Sequence, residues 1–403
     1  MMQQDRSSGI PWPILGSAWL MAFAVFSPIF CVPPMEHILK EELLLTHTQT
    51  SLLYIAPVLM LAVLAIPGGI IADRIGVKKA AGIGAIIVAV GTILRGTATD
   101  SSTLLVFTFI YGLGFGLSVP NLPKLVSAWV PQEKAGMAMG ILSSGLLVGT
   151  ALALAITMPL IFPITNTFQG VFLIWSIPTI VAAILWWMLV REPERDSIHN
   201  APASIEKTPL RQVLGNKNLW MVAFLFMLHN FYFYTWTGWV PTLMMQKGAT
   251  PELAGLITSI TVWVGILTVF LMPRLAYKLG LRKPFLWAPS IVLALVAWGA
   301  IYVTIPMSWL LMALVGVANM TRFSTLLALP IEMSPEEEVG TASGLTLSGG
   351  YTGGVIGALT GGRILDLTGS LDLSFLILTG VSIVATGIAF SLPETGIKPG
   401  SKK

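Results

Sequence analysis

Twelve stretches of about twenty apolar residues follow one another along the chain, separated by short polar turns. A run of that length, wound as a helix, crosses a hydrocarbon core roughly 30 Å thick. Inside such a core each backbone N–H and C=O must find its partner within the segment, and a helix meets that condition. The expected fold class is an all-α membrane protein of twelve transmembrane helices in two six-helix bundles. They are placed at about 11–34, 48–72, 80–98, 103–127, 134–158 and 168–190, then 218–240, 251–273, 285–305, 309–331, 339–362 and 372–392. At 55% hydrophobic and only 10% charged residues, a soluble domain of this length is excluded. The first apolar segment is too long for a signal-peptide core and lacks an evident cleavage site, so it is read as helix one. Cys31 is the single cysteine and allows no internal disulfide.

Basic residues sort the loops. With the N-terminus inside, eighteen Lys and Arg fall on cytoplasmic segments and helix ends, whereas only Lys40, Arg95, Lys247 and Arg363 fall outside. This asymmetry predicts a multi-pass protein of the cytoplasmic (inner) membrane with both termini cytoplasmic. A net charge of +4 spread over short loops is no nucleic-acid footprint; the lipid bilayer is the expected partner.

The longest polar segment, residues 191–217, carries Pro193, Pro202 and Pro209 with charges of both signs. It reads as a cytoplasmic linker between an N-terminal bundle, 1–190, and a C-terminal bundle, 218–403. A shift of 204 residues lays Pro335, Glu337, Gly340, Ala342, Gly344, Gly349 and Gly353 on Pro131, Glu133, Gly136, Ala138, Gly140, Gly145 and Gly149. The same shift sets Gly280, Arg282 and Lys283 on Gly76, Lys78 and Lys79, with Tyr277 at the place of Asp73. Two such repeats imply a transporter with its substrate site near the midplane between them. Glycines every four or five residues in helices five and eleven clear a face for a neighbouring helix, for packing, for sliding against the opposite bundle, or for both.

The turn after helix two runs from Gly69 to Lys79, Gly-Ile-Ile-Ala-Asp-Arg-Ile-Gly-Val-Lys-Lys. Here the chain resembles the major facilitator superfamily, whose signature between helices two and three is matched in order by Gly69, Asp73, Arg74, Gly76, Lys78 and Lys79. The resemblance implies the major facilitator fold and transport by alternating access. It also implies a gating role for Asp73 and Arg74 in a charge cluster that stabilises one conformation; the plainer alternative is that they mark the membrane edge. Antiporter branches carry a glycine-proline-glycine-glycine pattern in helix five, and Gly145-Leu-Leu-Val-Gly149 lacks its proline. Many proton-coupled members carry an arginine where Thr108 precedes Gly112. Pro-Asn-Leu-Pro at 120–123, the Trp-Val-Pro that follows and Leu-Asp-Leu-Thr-Gly-Ser at 365–370 resemble the branch of cyanate, nitroimidazole and nitrate/nitrite porters.

Arg322, in Asn319-Met-Thr-Arg-Phe, lies midway along helix ten. A mid-membrane arginine costs at least about 2.5–3.5 kcal/mol, and no Asp or Glu lies at its depth to neutralise it. Either the substrate supplies the counter-charge, or Arg322 caps carbonyls and holds helix ten. His229 and Asn230 occupy the same depth of helix seven, where an imidazole can bond a substrate or simply be satisfied in the bundle. The run Phe231 to Trp236, with Tyr232 and Trp236 in it, covers more than one helix face and is expected to line the cavity in part; Trp236 and Trp239 serve equally as an interfacial belt. Tyr111 and Asn121 of helix four, Asn319 of helix ten and Tyr351 of helix eleven complete the candidate substrate-binding set. Lys124 reads as snorkelling to the cytoplasmic surface.

No phosphate-binding glycine loop followed by lysine, no His-Glu-x-x-His pair and no nucleophile-base constellation is present, so an enzyme is not expected. No cofactor, metal or catalytic residue is expected either. The favoured function is a secondary active or facilitative transporter, expected as a monomer, for a small inorganic or carboxylate anion, with a coupling proton or an exchanged anion as co-partner. The competing function is efflux of small apolar or nitroaromatic compounds, favoured by the aromatics and disfavoured by the missing proline pattern and the unpaired arginine.

Overall fold

The computed structural model describes residues 11–131, 134–192, 215–335 and 339–396, with Val339 to Thr341 described by backbone alone. Glu133 and Glu337 of the repeat, residues 193–214 of the linker and both extreme termini lie outside the described residues.

Twelve long helices account for the described fold, and no strand occurs among these residues. The first six are α1 Trp12–Phe30, α2 His47–Ile75, α3 Val77–Arg95, α4 Ser101–Ser118, α5 Ala135–Ile156 and α6 Phe168–Leu189. The second six are α7 Lys217–Gln246, α8 Pro251–Leu279, α9 Pro284–Ala300, α10 Ile305–Met333, α11 Val339–Thr368 and α12 Asp372–Ser391. Among the described residues nine are long and apolar enough on their own to cross a membrane; α7, α9 and α11 are not among them. α9 has 17 residues, while α7 carries His229 and Asn230, and α11 is rich in glycine.

The differences from the expected boundaries have local causes. α1 is followed by a tight turn, Pro33–Met35, and a short helix, Glu36–Leu43, because Pro33 and Pro34 have no N–H to continue the ladder. α3 starts three residues early, at Val77, because Gly76 takes a φ of +99° and reverses the chain within one residue. α7 runs past residue 240 because Pro241 is accommodated inside it. α4 breaks after Ser118 at Pro120 and resumes as a short helix, Asn121–Trp129. Side-chain oxygens of Thr46, Asp100, Thr167, Asn216 and Thr250 accept the free amides at five helix starts.

α1–α6 form one bundle and α7–α12 the other, with a layout that repeats. In the first, α5 lies against α1 so closely that a methyl on Gly145 would stand 2.5 Å from the Trp19 carbonyl oxygen. In the second, α11 lies against α7 in the same manner, with Gly357 2.5 Å from the Phe231 carbonyl oxygen by the same measure. These glycines thus pack within their own bundle. Others face the opposite half: Gly140 meets the ring of Phe270, and Gly362 meets Ser51 and His47.

The bundles are joined along α2 and α11, along α5 and α8, and by the segment after α1 against α7. The molecule has an Asp73 end and an Asp366 end, at opposite ends of α2. At the Asp366 end, hydrogen bonds cross the seam: Asp366 accepts from the His47 and Thr48 amides at 2.8 and 2.9 Å, Ser51 Oγ donates to the Ala358 carbonyl at 3.0 Å, and the Tyr54 and Thr237 hydroxyls meet at 2.9 Å. Rings of Phe30, Tyr54, Phe233 and Tyr234 lie together just beneath.

One charge is not where the sequence placed it. Arg95, expected at the outer end of helix three, is wholly buried at the last residue of α3. Its Nη1 donates to the Pro28 carbonyl at 2.8 Å, and its guanidinium lies 4.0 Å from the Phe172 ring centre. Beyond Pro28 the chain tightens, so the Val32 amide bonds Ile29 and leaves the Pro28 carbonyl for Arg95.

Candidate functional site

Arg322 stands at the middle of α10 with 1% of its surface exposed. Its Nε donates to His229 Nδ1 of α7 at 3.3 Å and its Nη1 to Ser290 Oγ of α9 at 3.3 Å, while Nη2 has no partner. Both bonded partners are neutral acceptors, and among the described residues no carboxylate pairs with this guanidinium. A buried cation without a counter-ion is far costlier than a paired one, so the site has an unmet demand for negative charge. One turn before it, Asn319 is fully buried with neither its Nδ2 nor its Oδ1 bonded. Buried amides nearly always find partners, and here Asn319 and Arg322 leave polar atoms unmatched on one helix face.

An aromatic stack covers the cluster. The rings of His229, Phe226 and Phe323 form a triangle, with centres 5.8 Å apart for His229 and Phe226, 5.5 Å for His229 and Phe323, and 6.0 Å for Phe226 and Phe323, all at shallow angles to one another. Tyr351 of α11 meets the edge of Phe226 at 6.4 Å and is partly exposed, as is Phe323. The structure thus brings Arg322 and His229 into contact and joins Tyr351 to them through Phe226. Asn230 is buried and donates to the Phe226 carbonyl of its own helix at 3.0 Å. Tyr232 and Trp236 stack on each other and turn into the C-terminal bundle, the hydroxyl reaching the Leu293 carbonyl at 3.3 Å and the indole N–H reaching Thr261 at 3.3 Å.

Two residues of the expected set lie elsewhere. Tyr111 is inside the N-terminal bundle, its hydroxyl on the Val25 carbonyl and its ring 5.4 Å from the Arg95 guanidinium. Asn121 donates to the Leu117 carbonyl at 2.8 Å and the Gly68 carbonyl at 3.4 Å, tying α4's continuation to α2. Ser290, Phe226 and Phe323 escaped the sequence reading. A serine in an apolar helix and single phenylalanines carry no local signal, and only the fold brings them to Arg322.

The Gly69–Lys79 turn is held from two sides. Asp73 pairs with Lys124 at 3.1 Å, and Lys124 also donates to the Gly69 carbonyl at 3.4 Å. Lys124 therefore reaches the surface, where its side chain is 42% exposed, and finds Asp73 there. Glu192, three residues past α6, closes the turn: its carboxylate accepts from the Lys78 amide at 3.3 Å, and a methyl on Gly76 would stand 2.6 Å from it. Lys78 Nζ lies over the Trp187 ring. Arg74 and Lys79 belong to the same turn and its following helix. In the second bundle Glu394 does the same for Arg282 and Lys283, accepting their amides at 2.6 and 3.1 Å, and Arg282 pairs with Glu332 at 2.6 Å. Each bundle thus places a glutamate beside a proline after its sixth helix, Glu192 before Pro193 and Glu394 after Pro393.

The chain is 25% identical over 388 residues to the "Hexuronate transporter" of Bacillus subtilis (strain 168), covering 90% of each. It is 25% identical over 307 residues to the "Cyanate transport protein CynX" of Escherichia coli (strain K12), covering 75% of this chain and 77% of that protein. In fold it resembles the crystal structure of a bacterial homolog to the human lysosomal transporter Spinster, with a TM-score of 0.78 at 17% identity, over 96% of this chain and 97% of that one. Residues 18–358 and 240–403 match the family model described as Major Facilitator Superfamily. With the repeat of two six-helix bundles and the Gly69–Lys79 turn, this makes the chain a multi-pass membrane transporter that belongs to the Major Facilitator Superfamily.

Proposed function

We propose that the protein carries a small anion, inorganic or carboxylate, by alternating access, and that the cargo's charge meets Arg322. The observation that carries this reading is a mid-membrane guanidinium held by neutral partners, with Nη2 free and the orphaned Asn319 amide one turn away. The relatives named for hexuronate and cyanate support the same sign of charge, since both are anions. The bundles 1–190 and 218–403 act as the moving units and 191–217 as the link between them. The excess of Lys and Arg on one set of loops supports both termini cytoplasmic. The Asp366 end then faces outward, and its hydrogen-bonded seam is the closed gate of this state.

The test is uptake into vesicles containing the purified protein, with a panel of hexuronates, simpler mono- and dicarboxylates, cyanate, nitrate and nitrite. At least one anion enters faster than into protein-free vesicles, and Arg322→Ala lowers that rate at least tenfold. Entry of neutral nitroaromatic compounds, equal in both proteins and without anion flux, would carry the efflux reading instead.

A further inference from the structure

A small pocket opens between the two halves at the Asp366 end, away from Arg322, with room for about one water-sized particle. Its polar lining comes from Glu36 of the short helix after α1, from Thr50, Ser51 and Tyr54 of α2, and from Trp239 of α7. Each of the five is no more than 5% exposed.

Every proton that these side chains can donate is already spent. Thr50 Oγ1 donates to the Glu36 carboxylate at 3.1 Å or to the His47 carbonyl at 2.9 Å. Ser51 Oγ donates to the Ala358 carbonyl at 3.0 Å, and the Trp239 indole N–H to the same carbonyl at 2.9 Å. Thr237 gives its hydroxyl proton to the Phe233 carbonyl at 2.7 Å, so Tyr54 is the donor in the 2.9 Å contact between the two hydroxyls. A hydroxyl has one proton and two lone pairs, and Thr50, Ser51 and Tyr54 therefore have only lone pairs left to offer.

The carboxylate at the same pocket keeps its charge. Glu36 Oε1 accepts from His47 Nδ1 at 2.7 Å, and His47 Nε2 lies 2.8 Å from Lys40 Nζ. An ammonium can only donate, so Nε2 is the acceptor, Nδ1 carries the ring's proton, and the imidazole beside Glu36 is neutral. Asp366, across the seam, is met by the His47 and Thr48 amides and the Thr48 hydroxyl, none of them a cation. A buried carboxylate answered by neutral donors is short of positive charge. A water molecule in the pocket would meet the lone pairs and leave the charge; a small cation meets both.

We propose that this pocket binds a monovalent cation of the size of sodium, and that the ion holds the seam at the Asp366 end closed. One carboxylate balances one positive charge, and carboxylate and hydroxyl oxygens are the ligands that a hard cation takes. The site is complete only while the halves meet, because Ser51 and Tyr54 are turned by acceptors on α11 and α7. Parting the seam frees both hydroxyls to point their protons into the pocket. An ion that binds the closed form alone favours that form by mass action. The inference rests on reading the seam as a gate and not on the identity of the cargo.

The test titrates the purified protein in nanodiscs with sodium chloride against choline chloride at constant ionic strength, without cargo, so that Arg322 meets the same anion throughout. In a Cys31→Ala background, spin labels at Thr97→Cys and Tyr302→Cys, both exposed at this end and on opposite halves, report the distance across the seam. Sodium raises the short-distance fraction and the thermal midpoint together, and both responses saturate; choline, too large for the pocket, produces neither. Glu36→Gln keeps the shape, removes the charge and abolishes both responses. Tyr54→Phe and Ser51→Ala each remove one ligand oxygen and raise the half-saturating sodium concentration about tenfold, the size of effect expected for one lost bond to a charged group. A purely structural role for these hydroxyls would lower the midpoint and leave that concentration unchanged. No response to sodium, a response that choline matches, one that survives in Glu36→Gln, or an unchanged half-saturating concentration in both oxygen-deletion variants overturns the proposal. None of these outcomes touches the anion reading, and a protein that failed to take up anions would still show the sodium response.

Discussion

At the scale of single residues, the chain's decisive features are side chains in places that disfavour them. Gly76 is the clearest backbone case, since its φ of +99° and the carboxylate of Glu192 leave no room for a side chain. Gly76→Ala is expected to destabilise the protein by about 1 kcal/mol or more, read as a lower midpoint in thermal unfolding. Asp100, in the loop before α4, shows the opposite use of a terminus. The amide and hydroxyl of Thr103 hold its carboxyl below the usual carboxylate range. A depressed folded value means stabilisation that is present above the unfolded value and fades as pH falls through the folded one. The thermal midpoint of Asp100→Asn should therefore lie below the wild type at neutral pH and converge on it in acid. Arg322 was legible in the sequence as a mid-helix charge because a lone arginine amid apolar residues stands out. Arg95 was not, because an arginine at a helix end looks like a loop charge until Phe172 and the Pro28 carbonyl are seen to enclose it.

Elements pair through the faces that glycine clears. α11 meets α7 and α5 meets α1 at the distance of backbone on backbone, which makes Gly353, against the Met227 carbonyl, a position where added atoms force the helices apart. Gly353→Val is expected to cost about 1–3 kcal/mol, the usual range for overpacking, and to appear as a fall in thermal midpoint with the fold retained. Helix number and type could be read from the runs of apolar residues, since a membrane span needs a fixed length. Ends were harder, because a proline can stop a helix, as at Pro120 and after Phe30, or ride inside one, as at Pro241, and its neighbours decide which. The turn between α2 and α3 was visible from its motif, yet its partners come from elsewhere, Lys124 from the short helix after α4 and Glu192 from the segment after α6. Asp73→Asn removes the charge paired with Lys124 and should slow anion flux while leaving anion-induced thermal stabilisation in place; lost stabilisation in folded protein would assign Asp73 to binding.

For the whole molecule, the arrangement places the unpaired guanidinium in one half and a hydrogen-bonded seam at one end. Arg322 and its hydrogen-bond partners Ser290 and His229 all belong to the C-terminal bundle. The sequence located Arg322 and His229 at one depth, but grouped Tyr111 and Asn121 with them, because depth along a helix says nothing of which way a side chain turns. The central claim is that an anion completes Arg322. Thermal unfolding of the purified protein against the anion panel, in parallel with Arg322→Ala, measures this most directly, because a ligand at one hundred times its dissociation constant stabilises the folded state by about 2.7 kcal/mol. The account predicts a raised midpoint with one class of anion in the wild type and none in Arg322→Ala. A midpoint raised equally in both proteins, or raised only by neutral aromatic compounds, would contradict it.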